Sequence, residues 1–153
     1  MTVSPVSISS NALVLLGGSP IAALDEDSTG SQIAALLYET SYHSLLTATR
    51  WRFASRNVKL ARHIEEPKDS PWKYKFQLPV DSLYVTTCSD LNYEIYERDL
   101  YCNSKEVIIE YIYPPKEDNL PAYFVKALEF HLAGVFAIPL TCLLYTSPSP
   151  RDS

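Results

Sequence analysis

Apolar residues recur along the chain first with the period of a helix, then with that of a strand, then with that of a helix again. Near the start, Ile8, Ala12, Leu15 and Leu16 fall on one helical face. Ser4-Pro5 supplies a cap and a first-turn proline, and Gly17-Gly18 before Pro20 supplies a stop. These signals predict a helix over about residues 5–16. Ser28 or Thr29 can cap a second helix over about 29–50, whose stripe is Ala34, Leu37, Tyr38, Ser41, Leu45 and Ala48.

The period then shortens. Tyr74, Phe76 and Leu78 alternate with Lys73, Lys75 and Gln77, a half-buried strand ended by Pro79. "SLYVTTC" is β-branched and aromatic, and "YEIYERDLYCN" reads as a hairpin turning near Glu97-Arg98-Asp99. "EVIIEYIY" is apolar on both faces, which predicts a strand covered on both sides. "PPKEDNLP" reads as a rigid linker. Pro121 then opens a third helix to about residue 138, with Phe124, Ala127, Leu128, Leu132 and Val135 inside. The expected fold class is α+β: a helical bundle of two N-terminal helices and one C-terminal helix, with an antiparallel β-hairpin or sheet insertion within residues 72–113. All of this fits one domain over residues 1–141. Once that core is assigned no long apolar stripe is left over, so the free chain is expected to be monomeric or weakly associated.

Charge narrows the function classes. The net charge is −5, so the molecule as a whole is not built to bind polyanions. The apolar runs "NALVLL" and "HLAGVFAIPL" are shorter than a membrane span, and "MTVSPVSISSN" lacks the basic start of a signal peptide, so no membrane role is expected. Cys88, Cys102 and Cys142 make neither an even framework nor a C-x-x-C pair, which favours a reducing compartment.

Signals for catalysis are sparse. His43, His63 and His131 stand in no metal-ligand spacing, and there is no G-x-S-x-G elbow. "LGGSP" follows a helix and lacks the lysine of a phosphate loop, so it reads as a helix stop. Glu65, Glu66 and Asp69 in "HIEEPKD" offer carboxylates for acid/base work, against the plainer reading of a solvated loop. No cofactor, metal or catalytic residue is expected.

The segment "TRWRFASRNVKLAR", residues 49–62, is different: Arg50, Arg52, Arg56, Lys59 and Arg62 occur without one acid. Continued as a helix, it brings Arg52, Arg56 and Lys59 onto one basic stripe. Cations at a helix C-terminus are also what the macrodipole favours, so a solvated helix end is the plain alternative. Trp51 and Phe53 follow the apolar stripe of the second helix and read as core anchors rather than base-stacking platforms.

The order of these features resembles the tail tubular protein A family, the head-to-tail adaptors of short-tailed bacteriophages. The resembling pieces are "NALVLLGGSPIAALDEDS", "LYETSYHSLLTATRWRFASRNVKLAR", "WKYKFQLPVDSLYV", "YEIYERDLYCN", "VIIEYIY" and "LPAYFVKALEFHLAGVFAIPLT", covering roughly residues 8–141. The family's W-x-F-A motif is matched by Trp51, Phe53 and Ala54. Its Y-x-L-P-x-D-x-L motif is matched by Phe76, Leu78, Pro79, Asp81 and Leu83. Its last helix is matched by Phe124, Ala127, Leu128, Leu132, Ala133, Ala137, Pro139, Leu140 and Thr141. Where the family has a small residue in the hairpin, this chain has Glu97-Arg98. The resemblance implies a structural virion protein of the tail, assembled in the host cytoplasm, and not an enzyme. It implies a dodecameric ring of this chain between a portal protein and a tail nozzle protein, with genomic DNA passing through the lumen without tight binding. On that reading Arg50, Arg52, Arg56, Lys59 and Arg62 are the interface candidates, and Trp51, Phe53, Leu78, Pro79, Phe124, Leu128 and Leu132 are the core anchors.

Two other classes stay open: a small peptidoglycan-degrading tail enzyme using Glu65 or Glu66, and a nucleic-acid module using Arg50 to Arg62. Residues 142–152, "CLLYTSPSPRD", look like a translated transposon-type sequencing adapter of the kind left on metagenomic reads. The expectation is therefore that residues 142–153 are a non-native tail standing where the adaptor's portal-docking segment would continue.

Overall fold

The computed structural model describes residues 2–146. The fold is α+β, with helices α1 (Pro5–Leu15), α2 (Thr29–Thr47) and α3 (Ala122–Thr146) and seven strands between α2 and α3. By its internal contacts the chain divides into two compact units, one formed by residues 1–45 and 115–153, the other by residues 46–114.

The helical unit begins with local chemistry. Ser4 Oγ accepts the Ser7 amide at 3.1 Å while Ser7 Oγ accepts the Ser4 amide at 2.9 Å, a reciprocal cap ahead of Pro5. At the other end Gly17 has φ +81°, and the amides of Gly17 and Gly18 reach back to the carbonyls of Val14 and Leu13, both at 2.9 Å. This is the Schellman arrangement, and it needs a left-handed residue at Gly17. Ser28 caps α2 by accepting the Ser31 amide at 3.2 Å.

Ile8, Ala12 and Leu13 of α1 are buried, whereas Leu15, expected inside, is 47% exposed. α1 packs on α3. The inner face of α3 is Phe124, Leu128, Leu132 and Phe136, all fully buried. α2 contributes Ile33, Ala34, Tyr38 and Tyr42, and the Tyr42 ring meets Phe124 edge-on with centroids 6.3 Å apart. "PPKEDNLP" is not a free linker: the Tyr42 hydroxyl donates to the Pro115 carbonyl at 2.7 Å, and Tyr38 donates to Glu117 at 3.0 Å. Burial beside the Glu117 carboxylate pushes the Tyr38 hydroxyl pKa far up, so it stays a donor.

α3 departs from expectation twice. It continues through Pro139 to Thr146 instead of ending near residue 138. Apolar sequence lies on both sides of the proline, and the Thr141 hydroxyl donates to the Ala137 carbonyl in the same turn. The expected non-native tail thus overlaps the helix at residues 142–146, and the rest of it lies outside the described residues. By length and composition α3 is the one described helix able to cross a membrane, though its inner face is a packed core. A second departure is that large apolar side chains outside the inner face of α3 stay exposed, Phe130 at 59% and Ile138 at 74%. Periodicity had assigned the helix's apolar residues to one face, but α3 is apolar on more than one.

The strand unit holds β1 (Ser55–Lys59), β2 (Ala61–Arg62), β3 (Tyr74–Gln77), β4 (Tyr84–Cys88), β5 (Tyr93–Tyr96), β6 (Asp99–Cys102) and β7 (Ile108–Ile112). β1-β7-β4 form one antiparallel sheet and β2-β3-β6-β5 another. Phe76, Leu78, Leu100 and Cys102 share a core with Leu60, Val85, Val107, Ile109 and Tyr111. β7 is central in its sheet, yet only partly covered on its second face, where Ile112 is buried and Ile108 is 51% exposed. β5 and β6 are joined by the two residues Glu97-Arg98, and Glu97 takes φ +56° where the resembling family has a small residue. Strands begin at Ser55, well ahead of the residue 72 expected.

Candidate functional site

Residues 49–62 are mostly not helix. α2 stops at Thr47, Arg52–Ala54 make one 3₁₀ turn, and β1 and β2 follow. Thr47, Thr49 and Ser55 are poor helix formers, and the Ser55 hydroxyl bonds the Trp51 carbonyl at 2.6 Å, drawing the chain into a turn. β1 then pairs with β7, Ser55 opposite Ile112 and Lys59 opposite Ile108. The expected basic stripe is dissolved by this geometry. Arg56 and Lys59 are three residues apart, which on a strand sets them on opposite faces.

Three of the five cations meet acids within the same unit. Arg50 grips Glu110 with both arms of its fork, Nη2 to Oε1 at 2.7 Å and Nε to Oε2 at 2.5 Å. Thr86 adds a hydroxyl to Glu110 Oε2 at 3.0 Å. The bond from Arg50 holds the Glu110 carboxyl below its ordinary 4.5, and the Thr86 bond works in the same direction. Arg56 pairs with Asp81 at 3.1 Å and lies over the Tyr113 ring, 3.6 Å from its centre. Lys59 pairs with Glu106 at 3.0 Å and holds that carboxyl low as well. Arg62 stands 5.1 Å above the Tyr74 ring. Arg52 is exposed and makes no ion pair among the described residues. The acid partners Glu110, Asp81 and Glu106 were missed in the sequence. Glu110 was detectable as the single charge inside the apolar run "VIIEYIY".

Trp51 and Phe53, read as core anchors, are only half-buried, with rings 5.7 Å apart and tilted. Pro79 is half-buried too, and Arg98 binds its carbonyl. The enclosed anchors are Leu78, Phe124, Leu128 and Leu132. Trp51 and Phe53 lie outside the helix that would have turned them inward, which accounts for their partial burial.

The carboxylate loop forms a second surface. His63, from its end, donates its amide to the Lys75 carbonyl and sets its ring 2.8 Å from Asp99. Glu65, Glu66 and Asp69 then edge an open pocket of about 520 Å³ with Trp72, Tyr96 and Tyr101. Glu94 is fixed there between the Tyr96 hydroxyl and the Trp72 ring N–H, the latter at 3.4 Å. Carboxylates beside aromatic faces are the materials of a sugar site, yet all three loop acids are exposed. Cys88 and Cys102 are free thiols of the same core, and burial pushes both up in pKa. Among the described residues, no group of three or more His, Cys, Asp or Glu comes together to hold a metal ion. No family model matches the chain, and no curated protein matches it.

Proposed function

We propose that this chain is a phage head-to-tail connector of the tail tubular protein A type, a ring subunit between portal and tail nozzle around the DNA channel. The observation that carries the reading is the run of six family-like segments in the family's order, spread over roughly residues 8–141. The arrangement of the chain supports it: the last-helix motif residues Phe124, Leu128 and Leu132 form the buried face of α3. A strand insertion between α2 and α3 stands where the resemblance needs one. The internal pairing of Arg50, Arg56 and Lys59 weakens the nucleic-acid reading and suits a conduit that lets DNA slide, since each free cation adds salt-dependent affinity. It also leaves Arg52 as the best candidate of the five for an outside partner.

The test is co-assembly. The chain is mixed with the portal protein of a short-tailed phage and imaged by electron microscopy. An added ring of density beneath the portal is the expected result. No added ring overturns the reading. The pocket of Glu65, Glu66, Glu94 and Trp72 favours the peptidoglycan enzyme as second reading, and a cell-wall clearing assay decides it.

A further inference from the structure

The four-stranded sheet carries a pocket on the face turned away from its core. Phe76 on β3 and Leu100 on β6 belong to the core, so their sequence neighbours Lys75 and Tyr101 lie on the other face. Glu94 of β5 stands opposite Tyr101 in register, and Tyr96, two residues on, shares its face. The chain before β3 brings Trp72 to the same place, and these side chains wall the open pocket of about 520 Å³. A sheet face turned to water is ordinarily polar. Here three aromatics gather on it, and Tyr96 is 55% exposed.

Glu94 is the fixed point of the pocket. The Tyr96 hydroxyl and the Trp72 ring N–H both donate to its Oε2, while its Oε1 accepts no hydrogen bond among the described residues. Two donors thus hold the carboxylate in place and leave one oxygen open to a ligand. The bond to Glu94 also raises the pKa of the Tyr96 hydroxyl, which keeps it a donor.

Charge and ring geometry narrow the ligand. Glu65, Glu66, Asp69 and Glu94 line the pocket against Lys68 and Lys75, a surplus of negative charge. Elsewhere in the unit Glu110, Asp81 and Glu106 each have a cation partner, but none of the four pocket acids makes an ion pair among the described residues. A pyranose ring stacks on a flat aromatic platform. The Tyr96 and Tyr101 rings instead cross at 70° with centroids 5.5 Å apart, which makes a corner. Electron-rich ring faces set at an angle, with a carboxylate at their edge, suit an organic cation. Guanidinium suits this corner best: it is flat and weakly hydrated, so it stacks on a ring while its N–H edge donates to a carboxylate.

We propose that the pocket on the outer face of β3, β6 and β5 binds a guanidinium group on an alkyl stem, stacked in the corner of Trp72, Tyr96 and Tyr101 and donating to Glu94 Oε1. The site does not rest on the connector reading, and it differs from the cell-wall enzyme reading, which needs a sugar in the same pocket. Because the pocket is open to solvent, a single group binds weakly, with a dissociation constant on the order of 1–10 mM.

Nuclear magnetic resonance of the full chain reads the site directly. Trp51 and Trp72 are the two tryptophans, so the spectrum holds two indole N–H signals, assigned with Trp51→Phe. The Trp72 N–H touches Glu94 and is the reporter. Acetyl-Gly-Arg-Gly-amide should move the Trp72 signal to saturation and leave the Trp51 signal in place. No movement of the Trp72 signal up to about 50 mM peptide overturns the proposal. Replacing arginine by citrulline, which keeps the shape and removes the charge, should weaken binding at least about threefold, and equal binding overturns it. Glu94→Gln keeps an acceptor for Tyr96 and Trp72 but loses the charge; a loss of at least about threefold is expected, and an unchanged affinity overturns the proposal. An unmoved Trp51 signal in that variant shows the fold intact. Agmatine tests the source: tighter binding than the peptide supports the guanidinium site with a free small molecule as ligand, and weaker binding supports it with an arginine side chain. Saturation of the Trp72 signal by tri-N-acetylchitotriose with no response to the arginine peptide assigns the pocket to sugar and overturns the proposal.

Discussion

One substitution at two positions tests how well packing around the helices is understood. Gly30→Ala and Gly134→Ala each add a single methyl group to a helix. Neither glycine has a left-handed φ, so alanine is allowed by the backbone at both. At Gly134 the added Cβ meets nothing, and the gain is the helix preference of alanine over glycine, about 0.5–1 kcal/mol. At Gly30 the Cβ would stand 2.9 Å from Leu13 Cδ1 and 3.5 Å from Cδ2, with Ile21 Cγ2 at 3.7 Å. Leu13 is 1% exposed and Ile21 8%, so neither can swing into solvent. Overpacking of this kind costs about 1–3 kcal/mol, and the smaller preference gained in the first turn of a helix does not offset it. Thermal unfolding at concentrations where the chain is monomeric should raise Tm by about 1–4 °C for Gly134→Ala and lower it by roughly 2–6 °C for Gly30→Ala. The opposite signs are the point: two shifts of the same sign would refute the claim that α1 and α2 approach closely at Gly30 while α3 is uncovered at Gly134.

Three further outcomes follow from the strand unit and the thiols. Phe76→Ala should cost about 3–5 kcal/mol and Trp51→Ala about 1–3, because Phe76 is 1% exposed and Trp51 half-buried; equal losses in urea unfolding would restore Trp51 as a core anchor. Glu110 is held below its ordinary 4.5 when folded, so the stability it contributes is present above that pH and lost as pH falls through the folded value; Glu110→Gln should flatten this acid limb, and an unaltered limb would count against the Arg50 grip. Iodoacetamide should label exposed Cys142 first and Cys102 last, since burial raises the Cys102 thiol and hides it, and equal labelling rates would contradict that.

What the sequence revealed was governed by neighbours in the chain. The Ser4-Pro5 start, the Gly17 stop, the Ser28 cap and the buried face Phe124, Leu128, Leu132 all depend on residues within a turn or two, and local pattern reached them. Residues 49–62 were misread because their structure is set by β7, some fifty residues on. The run of cations fits a helix end as well as a strand, and only pairing with Ile108–Ile112 decides. The acids that answer Arg50, Arg56 and Lys59 were invisible for the same reason: Glu110, Asp81 and Glu106 are close in space and remote in sequence. The exposed apolar residues of α3 were hidden differently. They are apolar and at helical spacing, and a single helix offers no sign of which of two apolar faces the rest of the chain covers.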